Sequence, residues 1–200
     1  MDFPEQLVTL PIDEPVWERF FSVFPLVLVG TREADGGHDL APKHMAIPVG
    51  WENWFGFVCT PRHRTYQNIK RSQSFTVSYP RPEQVVITSL AAAPRCEEAD
   101  KPTLQALPVF PSQRVDGVLV KDCDRYLECE LDRIIDGFGA NSLIIGRVVA
   151  AYVHRQALRS QDREDNEIIH EQPLFAYLHP GRFAVIDHSQ GFPLPAGFKR

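Results

Sequence analysis

Two long β-type segments joined by a tight turn constrain this chain more than any other feature of its sequence. Polar and apolar side chains alternate within residues 117–136 (GVLVKDCDRYLECELDRIID), the period-two pattern of a half-buried strand. Residues 142–154 (SLIIGRVVAAYVH) form a more apolar run of the same kind. The intervening DGFGAN has the composition of a hairpin turn. The sequence therefore predicts an antiparallel pair of strands.

Shorter segments supply the remaining elements. Six or seven strands are predicted, and they do not alternate regularly with helices as a parallel sheet would require. A mainly β, antiparallel barrel with a few short peripheral helices fits this order best. Further strands are predicted at residues 23–32, 54–60 and 74–80, and on both sides of a turn at Pro180 and Gly181. Helices are predicted at TYQNIKRS, with Thr65 as N-cap, and at residues 82–93.

Length and charge limit the classes of function. A chain of 200 residues with 44% hydrophobic content fits one domain, 1–200, with a core at about 23–186, a leader at 1–22 and a tail at 187–200. The net charge of -5 argues against a nucleic-acid or membrane-surface partner, so any anion site must be local. Because the N-terminus lacks a signal-peptide pattern and no apolar run is long enough to span a membrane, we expect the protein to lie in the cytoplasm.

The cysteines indicate neither a metal site nor a disulfide framework. Cys59, Cys96, Cys123 and Cys129 contain no C-x-x-C pair and no Cys/His spacing suited to zinc. We therefore expect reduced cysteines and no bound metal.

A basic turn at residues 59–75 (CTPRHRTYQNIKRSQSF) is the clearest candidate site. Arg62, His63 and Arg64 directly precede the predicted helix, whose first N–H groups carry a partial positive charge. This combination suits a terminal phosphate, to which the Thr65 hydroxyl could also donate, although an exposed turn with ordinary surface arginines has the same pattern. The chain contains neither a Gly-Lys-Ser/Thr loop nor G-x-G-x-x-G, so a nucleotide held by either is excluded.

Four segments in this order resemble the flavin reductase-like family, the FMN-binding split barrels. They are PLVLVGTREADGGHDLAPKHM, FVCTPRHRTYQNIKRSQSFTVSYP, YLECELDRIIDGFGANSLIIGRVV and PLFAYLHPGRFAVI, and they cover roughly residues 23–186. The resemblance implies an antiparallel split β-barrel of the FMN-binding type. It also implies a homodimer, with FMN in a groove between the barrel and the partner subunit.

The resemblance also implies which residues bind the flavin. The flavin ring and ribityl chain would lie against Asp39, Leu40, Ala41, Pro42, Lys43 and His44. Cys59 and Thr60, at the end of a strand, would form the inner wall of the flavin pocket. The basic turn would hold the phosphate through His63, Arg64 and Thr65, with Arg62 adjacent.

Two departures from the family pattern bear on function. A-P-K-H-M stands where members commonly show a small polar run, and Asn141 stands where reductases often have a histidine on the nicotinamide side. Because the flavin itself carries redox chemistry, no catalytic side chain is assigned. The leading hypothesis is an FMN-dependent oxidoreductase that uses a small-molecule electron donor or acceptor, with NADH or NADPH as a candidate donor. The alternatives are a non-catalytic FMN-binding or flavin-storage protein and a plain interaction module.

Overall fold

A computed structural model describes residues 4–95 and 101–197 and contains, within them, twelve strands and three α-helices. Cys96, one of the cysteines considered above, lies outside the described residues. The strands are β1 (Ser22–Pro25), β2 (Val27–Arg32), β3 (His38–Lys43), β4 (Ala46–Pro48), β5 (Trp54–Cys59), β6 (Ser74–Tyr79), β7 (Val109–Pro111), β8 (Val118–Val120), β9 (Arg125–Phe138), β10 (Asn141–Val153), β11 (Leu174–His179) and β12 (Arg182–Ile186). The helices are α1 (Arg64–Ser72), α2 (Val85–Leu90) and α3 (Asp165–Glu171), with 3-10 turns at Val16–Arg19, Pro82–Gln84, Pro102–Ala106 and Arg155–Ala157.

A seven-stranded antiparallel sheet with the order β3-β2-β6-β9-β10-β5-β4 forms the body of the molecule and curls into a half-barrel. The predicted hairpin is its longest element, and β9 and β10 pair from Asn141 and Phe138 to Val153 and Arg125. A three-stranded sheet, β1-β11-β12, and the small β7-β8 pair complete the β structure. The predicted mainly β, antiparallel architecture with short peripheral helices is confirmed.

The main hydrophobic core is formed by side chains of the curled sheet and of helix α1. Phe55, Phe57 and Phe75 are almost completely buried there, and the rings of Phe57 and Phe75 meet edge to face with centroids 5.4 Å apart. Ile69 from α1 enters the same cluster, so the helix is held against the sheet by its apolar face. The burial of this face fixes where the first turn of α1 lies.

A second core attaches the middle of the chain to the sheet. Leu28 and Leu40, from neighbouring strands β2 and β3, pack with Ala91, Leu107 and Val120. This cluster places the end of α2 beside β3. It therefore positions the residues after α2 along one side of the candidate site.

Three details of the sequence interpretation need correction. The segment 117–136 is not one strand, because residues 121–124 form a turn in which Asp122 has a positive φ of 61°, and the strand proper begins at Arg125. The helix α1 begins at Arg64 with His63 as N-cap, so Thr65 is a first-turn residue. Finally, twelve strands exceed the six or seven predicted, because pairing of short three- to six-residue segments such as β1, β4 and β7 depends on tertiary contacts.

Within residues 4–95 and 101–197, no helix has both the length and the apolar character needed to cross a bilayer.

Candidate functional site

A cleft of about 610 Å³ opens between strand β3 and the N-terminus of α1. The end of α2 and the residues that follow it form a third side. The cleft is lined by Asp39, Ala41, Pro42, Lys43, Arg62, His63, Arg64, Thr65, Gln67, Ala91, Ala92, Ala93, Pro94, Arg95 and Lys101. It thus joins segments that lie far apart in the sequence.

The basic turn takes its shape from local hydrogen bonds. Pro61 follows the last residues of β5, and the His63 N–H donates to the Thr60 carbonyl at 2.9 Å, which closes the turn. The Gln67 side chain, one turn into α1, donates to the Pro61 carbonyl at 2.7 Å. Within the described chain no side chain caps the start of α1, so its first N–H groups keep their partial positive charge beside the cleft that Arg64 and Thr65 line.

Positive charge dominates the cleft. Five lining side chains are cationic, whereas Asp39 is the one carboxylate among the described lining residues. The Asp39 side chain is buried, accepts a hydrogen bond from Arg95 at 3.0 Å and lies 3.7 Å from the Lys101 amine. Burial, reinforced by Lys43 and Arg62, lowers the pKa of His63, so this imidazole is neutral at neutral pH in the ligand-free protein. The excess cations favour an anionic ligand.

Most of the residues predicted to bind flavin meet at this cleft. Seven of the eleven line it: Asp39, Ala41, Pro42, Lys43, His63, Arg64 and Thr65. Arg62, which was considered adjacent, lines it as well. Whether these residues bind a flavin stays a prediction.

The other four predicted residues are placed differently. Leu40 points away from the cleft into the second core, since alternate residues of a strand face opposite sides. Cys59 is buried in the main core, and its burial raises the pKa of the thiol despite the nearby Lys43 amine. The Thr60 hydroxyl donates to the side-chain oxygen of Asn141 at 3.1 Å. His44 lines a neighbouring cavity.

The Thr65 hydroxyl has a structural partner. It is buried and donates to the Asp39 carboxylate at 3.4 Å. The hydroxyl therefore links α1 to β3, the two walls of the cleft. The expected contact between this hydroxyl and a phosphate stays a prediction.

The segment after α2 contributes cations that the sequence does not predict. Arg95 pairs with Asp39 and Glu33, and the buried Lys101 amine donates to the carbonyls of Leu40 at 2.9 Å and Ala91 at 2.5 Å. Lys101 lies in a polar, proline-rich stretch that resembles an exposed excursion. Single cations in such a stretch give no periodic signal, so only the tertiary structure reveals their position.

A second cavity, of about 320 Å³, adjoins the cleft and shares Pro42 and Ala92 with it. We call it the aromatic pocket, because Phe175, Tyr177 and Phe183 from the β11–β12 hairpin form much of its wall. Its complete lining is Leu26, Pro42, His44, Val85, Thr88, Ser89, Ala92, Phe175, Tyr177, Gly181, Arg182 and Phe183. Gly181 and Phe183, part of the resemblance above, thus lie beside the cleft.

Comparison with known families accounts for this arrangement. Residues 22–179, more than half of the chain, match the family model of the flavin reductase like domain. The chain belongs to the flavin reductase-like family. Membership indicates a flavin-related redox function and flavin binding.

Solved structures of similar fold support the architecture of this flavin reductase-like chain. It is similar to nitrilotriacetate monooxygenase component B from Bacillus cereus, with a TM-score of 0.79 and 20% identity over 96% of this chain and 100% of the other. It is also similar to flavoredoxin from Methanosarcina acetivorans, with a TM-score of 0.76 and 20% identity over 96% and 97% of the two chains.

The description of a third similar structure contains the term split barrel. It is a Shewanella frigidimarina protein described as a flavin reductase with a split barrel domain, with a TM-score of 0.74 and 16% identity over 86% of this chain and 87% of the other. The predicted split barrel is confirmed. A comparison with functionally curated proteins gives no significant sequence match.

The residues of this flavin reductase-like chain fit a flavin in two respects. The uncapped start of α1 and the adjacent Arg62 and Arg64 suit a phosphate group. Strand β3 pairs with β2 alone among the described strands, so backbone groups along its other edge suit the polar rim of a flavin ring, apart from the Leu40 carbonyl, which accepts from Lys101, and Pro42, which has no N–H. Groups suited to a phosphate and groups suited to a flavin ring thus line one cleft.

Proposed function

We propose that this protein is an FMN-binding oxidoreductase that passes electrons through FMN held in the cleft between β3 and α1. One observation carries the proposal. The basic turn and strand β3, predicted separately as phosphate and ring contacts, form opposite walls of a single cleft of about 610 Å³. A cleft of this size is within the roughly 300–1,000 Å³ typical of small-molecule sites.

The phosphate belongs at the start of α1. Arg62 and Arg64 supply guanidinium groups there, and the first N–H groups of the helix supply backbone donors. Asp39, on β3, holds this wall in place through Thr65 and holds the third side of the cleft through Arg95. The carboxylate thus positions the phosphate site without itself facing the anion as a free charge.

The ring belongs along residues 39–43. Backbone groups at the free edge of β3 match its polar rim, and Lys43 places a cation nearby, which stabilises a reduced, anionic flavin. Bound FMN supplies hydride and electron transfer, so the chain has to orient the cofactor and leave one face accessible. We propose NADH or NADPH as the electron donor.

The same proposal includes a homodimer. Large apolar side chains on the β9-β10-β5-β4 part of the sheet are exposed, among them Ile47, Ile135 and Phe138. Exposed apolar groups of this size favour burial against another surface. Light scattering coupled to size-exclusion chromatography should give twice the mass of one chain, whereas a monomer at micromolar concentration would contradict this part of the proposal.

Flavin titration and reduction test the function directly. FMN should bind the purified protein and lose fluorescence as it does so, and NADH or NADPH should then bleach the visible absorbance of the bound flavin under anaerobic conditions. Absence of FMN binding refutes the proposal as a whole. Binding without bleaching by either nucleotide refutes the nicotinamide-dependent reaction and leaves a flavin-binding protein.

A further inference from the structure

A carboxylate lies against two cations of the cleft without lining the cleft itself. The Glu33 side chain accepts a hydrogen bond from the Arg95 guanidinium at 2.5 Å and lies 3.8 Å from the Arg64 guanidinium. Both arginines line the cleft, whereas Glu33 is not among its described lining residues. Arg95 also donates to Asp39, so these ion pairs connect the start of α1, the segment after α2 and strand β3.

The backbone and the surrounding protein hold Glu33 in place. Glu33 directly follows β2, and its N–H donates to the Gly37 carbonyl at 2.9 Å across the turn that leads into β3. Its side chain is only 12% exposed. The negative charge of Glu33 therefore stays beside the cleft.

Charge counting shows what Glu33 does to the cations near the start of α1. The Arg95 guanidinium contacts two carboxylates, those of Glu33 and Asp39. Lys101, 3.7 Å from Asp39, compensates the second carboxylate. Arg64 is the other cation paired with Glu33, so a phosphate at the start of α1 and the Glu33 carboxylate would compete for the charge of one guanidinium.

The contacts also decide whether Glu33 helps or opposes the binding of a phosphate. Glu33 does not orient Arg64, because their separation of 3.8 Å exceeds hydrogen-bond distance and 47% of the Arg64 side chain is exposed. Arg95 keeps its contact with Asp39, at 3.0 Å, when Glu33 is changed. Loss of the Glu33 charge therefore leaves both arginines in place, and the electrostatic repulsion between Glu33 and the phosphate is the effect that is removed.

We propose that Glu33 is a specificity-determining residue of the cleft, whose carboxylate limits how tightly the phosphate group is bound and so limits the preference for FMN over riboflavin. This role rests on the proposed function, because it requires the phosphate of FMN at the start of α1. Riboflavin has no phosphate, so its binding should not depend on the charge of Glu33.

Glu33→Gln tests the role of the charge. Glutamine keeps a side-chain oxygen that accepts from Arg95 but carries no charge. A phosphate in contact with Arg64 would lie roughly 8 Å from Glu33, and a phosphate monoester carries nearly two negative charges at neutral pH. With an effective dielectric constant of about 40 and the screening of 0.1 M salt, removal of the Glu33 charge should give about fivefold tighter FMN binding. Fluorescence titrations should show this gain for FMN and unchanged riboflavin binding.

Glu33→Ala is a second test of the same charge. It removes the hydrogen bond to Arg95 as well as the charge, and it should show a similar gain, because Asp39 continues to hold Arg95. Salt separates an effect of charge from an effect of shape. In both variants the gain should nearly vanish at 1 M salt, where the Debye length is about 3 Å.

Asp116→Asn is the matched control. It also removes one negative charge from an ion pair, with Arg32 at 3.4 Å, at the end of the strand that Glu33 follows. Neither Asp116 nor Arg32 is among the described lining residues of the cleft, and the Asp116 side chain is 72% exposed. Solvent screens such a charge, so Asp116→Asn should change FMN binding by less than about twofold.

The titrations separate failure of this role from failure of the proposed function. Weaker or unchanged FMN binding by Glu33→Gln, an equal gain for riboflavin, or an equal gain in Asp116→Asn would overturn the role of Glu33 and leave the flavin function standing. Unmodified protein that binds neither FMN nor riboflavin refutes the proposed function, and the selection between the two flavins with it.

Discussion

Arg64→Ala should weaken FMN binding selectively through the phosphate. Arg64 is the first residue of α1, and its guanidinium lines the cleft. Its acidic partner among the described residues is Glu33, at 3.8 Å, a distance that leaves the guanidinium weakly held. The substitution therefore removes a contact to the ligand more than a contact within the protein.

The expected magnitude follows from the exposure of Arg64. Charge-assisted hydrogen bonds contribute about 1.5–3 kcal/mol. Because 47% of the Arg64 side chain is exposed, solvent screening favours the lower end of that range. A loss of about 1.5 kcal/mol corresponds to roughly tenfold weaker FMN binding.

Riboflavin, which lacks the phosphate, makes the assay specific. Fluorescence titrations of both flavins should show about tenfold weaker FMN binding by Arg64→Ala and unchanged riboflavin binding. Arg71→Ala is the matched control, since Arg71 lies in the last turn of the same helix and donates to the Arg32 carbonyl. Equal losses for both flavins, or an unchanged FMN affinity, would refute the assignment of the phosphate to the start of α1.

Stability measurements test the fold that supports the site. Glu128 is fully buried and accepts hydrogen bonds from the backbone N–H groups of residues 113–115, so Glu128→Ala should lower the free energy of unfolding by about 3 kcal/mol in urea titrations. Glu130 lies on the same strand but is more than half exposed, so Glu130→Ala should change this free energy by less than about 0.5 kcal/mol. Burial alone would raise the pKa of Glu128, but these hydrogen-bond donors hold the pKa below its ordinary value of 4.5. Their contribution to stability is therefore present above about pH 4.5 and should be lost as the pH falls through the folded-state pKa. A urea midpoint that does not change as the pH falls below about 4.5 would contradict this. Gly30→Ala should destabilise by about 1–3 kcal/mol, because its Cβ would lie 2.4 Å from a side-chain oxygen and 2.7 Å from a backbone carbonyl oxygen, whereas Gly191→Ala, with no neighbour within 4 Å, should melt like the unmodified protein.

The sequence predicts those parts of the fold that local patterns encode. Alternating side chains and a glycine-rich turn locate the β9–β10 hairpin, and Thr65 as the predicted N-cap locates the start of α1 to within two residues. The same pattern misplaces the N-cap. Thr65 has the residue type that caps helices, but its hydroxyl donates to Asp39 on strand β3, a contact that no local sequence pattern predicts.

The third side of the cleft could not be predicted for the same reason. Lys101 reaches the Leu40 carbonyl across a sequence separation of 61 residues, and Arg95 reaches Asp39 across 56. Neither lies in a periodic segment. The aromatic pocket is similar, since it forms only where the β11–β12 hairpin meets α2 and β3, and local sequence patterns do not record that meeting.

A crystal structure of the FMN complex tests the central claim most directly. The account predicts electron density for one flavin in the cleft, with its phosphate at the first turn of α1 beside Arg62 and Arg64 and its ring along the free edge of β3, residues 39–43. Flavin density at any other surface, or a cleft without flavin in crystals grown at a saturating FMN concentration, would contradict it.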